Sequence, residues 1–170
     1  MEVDQLRVHW SAGRGYPVGE VVYALIPSPE RPAWAGDILD LAISLFETVP
    51  PAVRVVAVAA RKPEWWPQAH GAFSLVRRLT LAEDKSHVGG AMYGAMLLVA
   101  ENTAKVVYNA SGEPAPFDAD CGAALVSCLR HLTAVAGSPE FEQRAWGLLG
   151  AWLRRVGGHA EPGVAPDRPR

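Results

Sequence analysis

The 170-residue sequence has two cysteines, no large excess of charge of either sign and no apolar run long enough to cross a bilayer. Each shortage excludes something. There are 16 Lys and Arg against 18 Asp and Glu, a formal charge of -2, and the longest basic runs are pairs such as Arg77-Arg78 and Arg154-Arg155. Binding dominated by phosphate contacts rests on a clustered basic face, so nucleic acid is not an expected partner. The longest mainly apolar stretch, Ala91 to Ala100, is too short for a span and is soon followed by Glu101, Asn102 and Lys105, so no transmembrane segment is expected. The start, Met1-Glu2-Val3-Asp4-Gln5, is acidic and polar, unlike a secretory signal, which points to the cytoplasm.

Cys121 and Cys128 are seven residues apart in a stretch that reads as helix, roughly 10 Å along its axis. A disulfide needs Cα atoms within about 7 Å. Both are therefore expected as reduced, semi-buried thiols.

Motifs of common chemistry are also missing. His9, His70, His87, His131 and His159 show no short zinc spacing, and no metal or cofactor is expected. Gly13-Arg14-Gly15 and Gly89-Gly90 match neither phosphate-loop pattern, and no nucleophile elbow occurs. Cys128 and His131 are i and i+3, but Cys128 falls on an apolar stripe, where a thiol is ordinarily structural. No catalytic motif is recognisable.

What is present is a hydrophobic fraction of 49%, enough for one core. A single domain is expected over residues 1–158, with 159–170 as a disordered tail of proline, glycine and charge. Gln5 to Trp10 and Glu20 to Ile26 read as strands joined by a turn-rich linker. After Pro27, Pro29 and Pro32, a helix is expected from Asp37 to Thr48, ended by Pro50-Pro51. The valine-rich run Arg54 to Ala60 reads as a central strand, and Phe73 to Leu81 as a second strand with one wetter face and a break at Arg77.

From Val88 the pattern turns helical. Over Val88 to Asn109 a helix places Tyr93, Leu97, Ala100, Ala104 and Val107 on one face and Glu101, Asn102, Lys105 and Asn109 in a polar sector. Asp118 is expected to cap the next helix, whose stripe runs through Cys121, Leu125, Cys128, Leu132 and Val135 to Gly137. Ser138-Pro139-Glu140 opens the last helix, with Phe141, Ala145, Leu148, Leu149, Trp152, Leu153 and Val156 turned inward. The expected fold class is α+β: a small, mostly antiparallel sheet of about four strands, packed by an early helix and three C-terminal helices.

Two constellations are candidate binding sites. Glu101, Asn102, Lys105 and Asn109, followed by Asp118 and Asp120, form the densest polar set. The ordinary explanation of the same residues is a solvated helix face with a Glu101–Lys105 pair, followed by an N-cap and a helix-dipole acid. Trp65 and Trp66, between Pro63 and Pro67, lie in a connection, where rigid scaffolds often carry function; both rings could also lid the core. The leading reading is a small cytoplasmic protein-interaction module, such as an adaptor or an immunity-type inhibitor, with a protein partner. The alternative is a small enzyme or ligand-binding domain around the polar set. A homodimer joined by apolar helical faces is a third reading.

Overall fold

Small apolar residues recurring at intervals of three and four give the N-terminal half a helical period. The computed structural model describes residues 3–82 and 88–157, and among them it contains eight α-helices and no strand. These are α1 (Val3–Ser11), α2 (Gly15–Leu25), α3 (Arg31–Ile43), α4 (Pro51–Arg61), α5 (Ala69–Ala82), α6 (Val88–Asn109), α7 (Cys121–Ala136) and α8 (Pro139–Gly157). Short 3₁₀ segments at Ser28–Glu30 and Pro63–Gln68 link α2 to α3 and α4 to α5.

The expected α+β class is thus overturned, and all four strand expectations fail alike. Gln5 to Trp10 lies in α1, which buries Leu6 and Trp10. Most of Glu20 to Ile26 lies in α2, which buries Gly15, Val18, Gly19 and Val22. The valine run is α4, burying Ala52, Val53, Val56, Ala59 and Ala60. In α5 the inward residues are Ala69, Ala72, Val76 and Thr80, whereas the alternating Leu75, Leu79 and Leu81 face solvent. Every buried set repeats near 3.6 residues, and the alternation came from side chains outside the core.

Proline placement also differs from expectation. Pro32 occupies the first turn of α3, so that helix starts six residues before Asp37, and it ends at Ile43. Pro51 opens α4 rather than closing α3. Both positions suit proline, whose missing N–H has no helical acceptor in the first turn.

The three C-terminal helices form where expected. Gly137, at φ +61°, ends α7 in the left-handed conformation that glycine adopts without strain. Ser138 Oγ accepts the Phe141 N–H at 3.2 Å and caps α8. Asp118, however, caps nothing with its side chain: α7 starts at Cys121, Asp120 holds the N-cap position, and Asp118 offers only its backbone carbonyl to Cys121. The expected tail, 159–170, lies outside the described residues.

One hydrophobic cluster takes residues from all eight helices, among them Trp10, Val22, Trp34, Val56, Val76, Leu97, Leu125 and Leu149. At its centre α6 packs against α3, α4, α5 and α7 and is buried nearly all round from Ala95 to Val107. A smaller cluster of Ala59, Ala60, Ala69 and Val107, flanked by Trp66 and Tyr108, underlies the α4–α5 connection.

Candidate functional site

The α6 polar sector points into the protein. Glu101 is 2% exposed, its Oε1 is 2.7 Å from Arg77 Nη1 of α5, and its buried Oε2 has no hydrogen-bond partner. Arg77, the misfit of a strand pattern, is thus the counterion of a carboxylate that desolvation would otherwise penalise heavily. Lys105, the expected partner of Glu101, instead places Nζ 5.5 Å from the centroid of the Phe73 ring.

The two asparagines join α6 to its neighbours. Asn102 Nδ2 donates to Leu98 O at 2.9 Å and approaches Cys128 Sγ at 3.4 Å. Asn109 accepts the Phe117 N–H through Oδ1 at 2.7 Å, and its Nδ2 donates to Phe117 O at 3.2 Å and approaches Cys121 Sγ at 3.5 Å. This two-way bracket folds the 110–120 connection back, stacking Phe117 against His70 and bringing it onto Phe73 and Tyr108. The thiols that face the asparagines are free. Burial pushes Cys128 up to about 11, with Glu101 adding to the rise, and burial raises Cys121 as well.

Asp118 and Asp120 are exposed, and Asp120 Oδ2 accepts the Tyr16 hydroxyl of α2 at 2.8 Å. The hollow beside Asp120 is lined by Glu20, Tyr23, Ala24, Ala119 and Ala123, with no residue of α6. Asp120 thus faces Tyr16 of α2, whereas Glu101 meets Arg77 of α5 and Asn102 and Asn109 approach the two cysteines of α7. Among the described residues no group of three or more His, Cys, Asp or Glu could hold a metal.

The tryptophan pair divides its roles. Trp65, in the 3₁₀ segment, is 40% exposed, with Lys62 Nζ 5.8 Å from its ring centroid. Trp66 is half-buried over the small cluster. The helices on either side of this connection also expose apolar side chains not singled out in the sequence: Val58 on α4, and Leu75, Leu79 and Leu81 on α5. Reading α5 at the helical period would have found them, because they fall outside its Ala69, Ala72, Val76, Thr80 stripe.

A second surface feature is a trough along α3. A hollow of about 470 Å³ is lined by Asp37, Asp40, Leu41, Arg144 and Leu148, and neighbouring hollows reach Trp152 and Arg155 on one side and Ala57 and Lys62 on the other. Its carboxylates are already engaged: Arg61 bridges Asp37 and Asp40, and Trp152 Nε1 donates to Asp37 Oδ2 at 2.8 Å. These contacts tie α3 to α4 and α8.

No described helix is long and apolar enough to cross a membrane. Comparison with protein-family models, curated proteins and solved structures finds no match. The immunity-type role named as one form of interaction module is withdrawn, since it has no support from the comparisons and the α+β frame proposed with it is absent.

Proposed function

We propose that this chain is a helical protein-interaction module of the cytoplasm whose contact face is formed by α4, the 63–68 connection and α5. One observation carries the reading. Of nine large apolar side chains exposed among the described residues, five (Val58, Trp65, Leu75, Leu79 and Leu81) fall within residues 51–82, about a fifth of the described chain. Scattered apolar residues are normal on a surface, whereas a concentration of them is the usual mark of a contact site. Trp65 has the size and partial exposure of an interface anchor, whose truncation typically costs about 2 kcal/mol of binding. Two free thiols suit a reducing compartment.

The alternative of an enzyme or ligand-binding domain at Glu101, Asn102, Lys105, Asn109, Asp118 and Asp120 is less favoured, because Glu101 and Asn102 are buried and Glu101, Asn102, Asn109 and Asp120 already hold scaffold partners. The test is isolation of the tagged full chain from its own cells with quantified partners. A partner held by the wild type should be lost from Trp65→Ala and from Leu75→Asp/Leu79→Asp, both checked for native circular dichroism. Retention of the same partners at wild-type yield by both variants would remove this face from consideration.

A further inference from the structure

We propose that the outer strip of α4 and α5 receives an acidic amphipathic helix of the partner protein, an inference that rests on the interaction reading above. Neither helix contains an acidic residue. Residues 51–82 carry Arg54, Arg61, Lys62, Arg77 and Arg78 against Glu64 alone, in a chain whose formal charge is -2. Two of these cations are committed inward, Arg61 to Asp37 and Asp40 and Arg77 to Glu101. Arg54 and Arg78 are exposed and have no carboxylate partner among the described residues.

Helical phase places them beside the apolar side chains. With Ala72 and Val76 pointing inward on α5, Arg77 and Phe73 lie on the flank where they meet Glu101 and Lys105 of α6. At 100° per residue Leu75 and Leu79 take the opposite flank, on the side of α4, with Arg78 next to them toward solvent. On α4, Ala57 and Arg61 line a hollow with Asp40 that Val58 also edges, which leaves the half-buried Val55 on the flank toward α5 and Arg54 outward. The strip thus has an apolar centre of half-buried Val55 and exposed Leu75 and Leu79, with Val58 at its edge toward the Asp40 hollow, bordered by Arg54 and Arg78.

Charge decides the occupant. A second copy meeting this strip about a two-fold axis would bring arginine borders together with no anion between them, an unfavourable juxtaposition. A partner helix with leucine-type residues at i, i+3, i+4 and i+7 and acids beside them satisfies both the apolar centre and the border.

The test measures fluorescence anisotropy of labelled peptides with the full chain. One probe is a helical peptide of about five turns, with leucine on one face and glutamate on its flanks; the other carries lysine for glutamate. The acidic peptide should bind at least about tenfold more tightly than its lysine twin, and Arg54→Glu/Arg78→Glu should reverse the preference in a protein of unchanged circular dichroism. Equal binding of both peptides, lost in Leu75→Asp/Leu79→Asp, overturns the acidic chemistry but leaves the interaction reading standing. No binding of the acidic peptide, or binding unaffected by the arginine reversals, overturns the proposal; co-isolation then decides the broader reading separately. Binding to phosphatidylcholine–phosphatidylglycerol vesicles, sensitive to the arginine reversals and without peptide binding, would assign the strip to lipid.

Discussion

Cys128 shows how the polar residues of α6 act one by one. Its thiol faces the Asn102 amide at 3.4 Å, and burial together with the Glu101 carboxylate raises it from an ordinary value near 9 to about 11. The thiolate is the reactive form, so at neutral pH this side chain is an inert packing group. Its raised folded-state value makes the protein favour the protonated thiol. The associated stability is fully present below pH 9 and is lost as pH rises toward 11, because the unfolded chain releases the proton first. The loss should be about 2–3 kcal/mol for this residue. Urea unfolding under reductant at pH 8, 9.5 and 10.5 should therefore show falling stability, with a shallower fall in Cys128→Ala. Parallel profiles for the two proteins would contradict this assignment. The sequence made the residues of this site legible as a cluster but not their direction: Glu101, Asn102, Lys105 and Asn109 do share a sector, yet that sector meets α5 and α7. Arg77 was the available clue, a lone cation among apolar residues that needed an anion nearby.

Among the elements, α2 and α7 depend on close approach. Gly15 and Gly19, one turn apart on α2, lie against α7; a Cβ at Gly19 would stand 2.7 Å from Ala123 Cα and 2.8 Å from its carbonyl oxygen. Those atoms are backbone, so relief requires the two helices to separate. Gly19→Ala should lower stability by about 2–3 kcal/mol, as overpacking of a tight contact does. Gly71→Ala, on the open face of α5 with nothing within 4 Å of the added carbon, should instead raise it by about 0.5–1 kcal/mol. Chemical denaturation of the two variants measures both signs. The same glycines explain why the first half of the fold was misread. Gly13 and Gly15 resemble turn punctuation in a sequence, and only a partner helix reveals the four-residue spacing of Gly15 and Gly19 as a packing surface. Short valine runs are equally ambiguous, because strand and buried helix differ in period and not in composition. The later helices were legible because they are long and because Gly137 and the Ser138 cap mark the boundary between α7 and α8.

For the whole molecule, the distribution of core matters more than its size. The main cluster takes residues from all eight helices, with α6 and α7 as its hubs, whereas the connection between α4 and α5 rests on the small cluster under Trp66 and Tyr108. No residue of the 3₁₀ segment Pro63–Gln68 is buried. Segments with few buried contacts open at lower free energy than the core they join, and contact surfaces that adapt to a partner are drawn from that end of the range. The proposed face therefore combines a firm floor, Ala72 and Val76 of α5 in the main cluster, with a pliable tip at Trp65. Native-state hydrogen exchange should resolve the two: amides of residues 64–68 should exchange through local opening, insensitive to low denaturant, while those of 96–107 in α6 exchange only on global unfolding. Partner binding that slows exchange at 64–68 and over α5, but leaves the α6 amides at their global limit, would locate contact on this face. Protection confined to the α3–α8 trough would move the site across the molecule, to where Asp37 and Asp40 already hold Arg61.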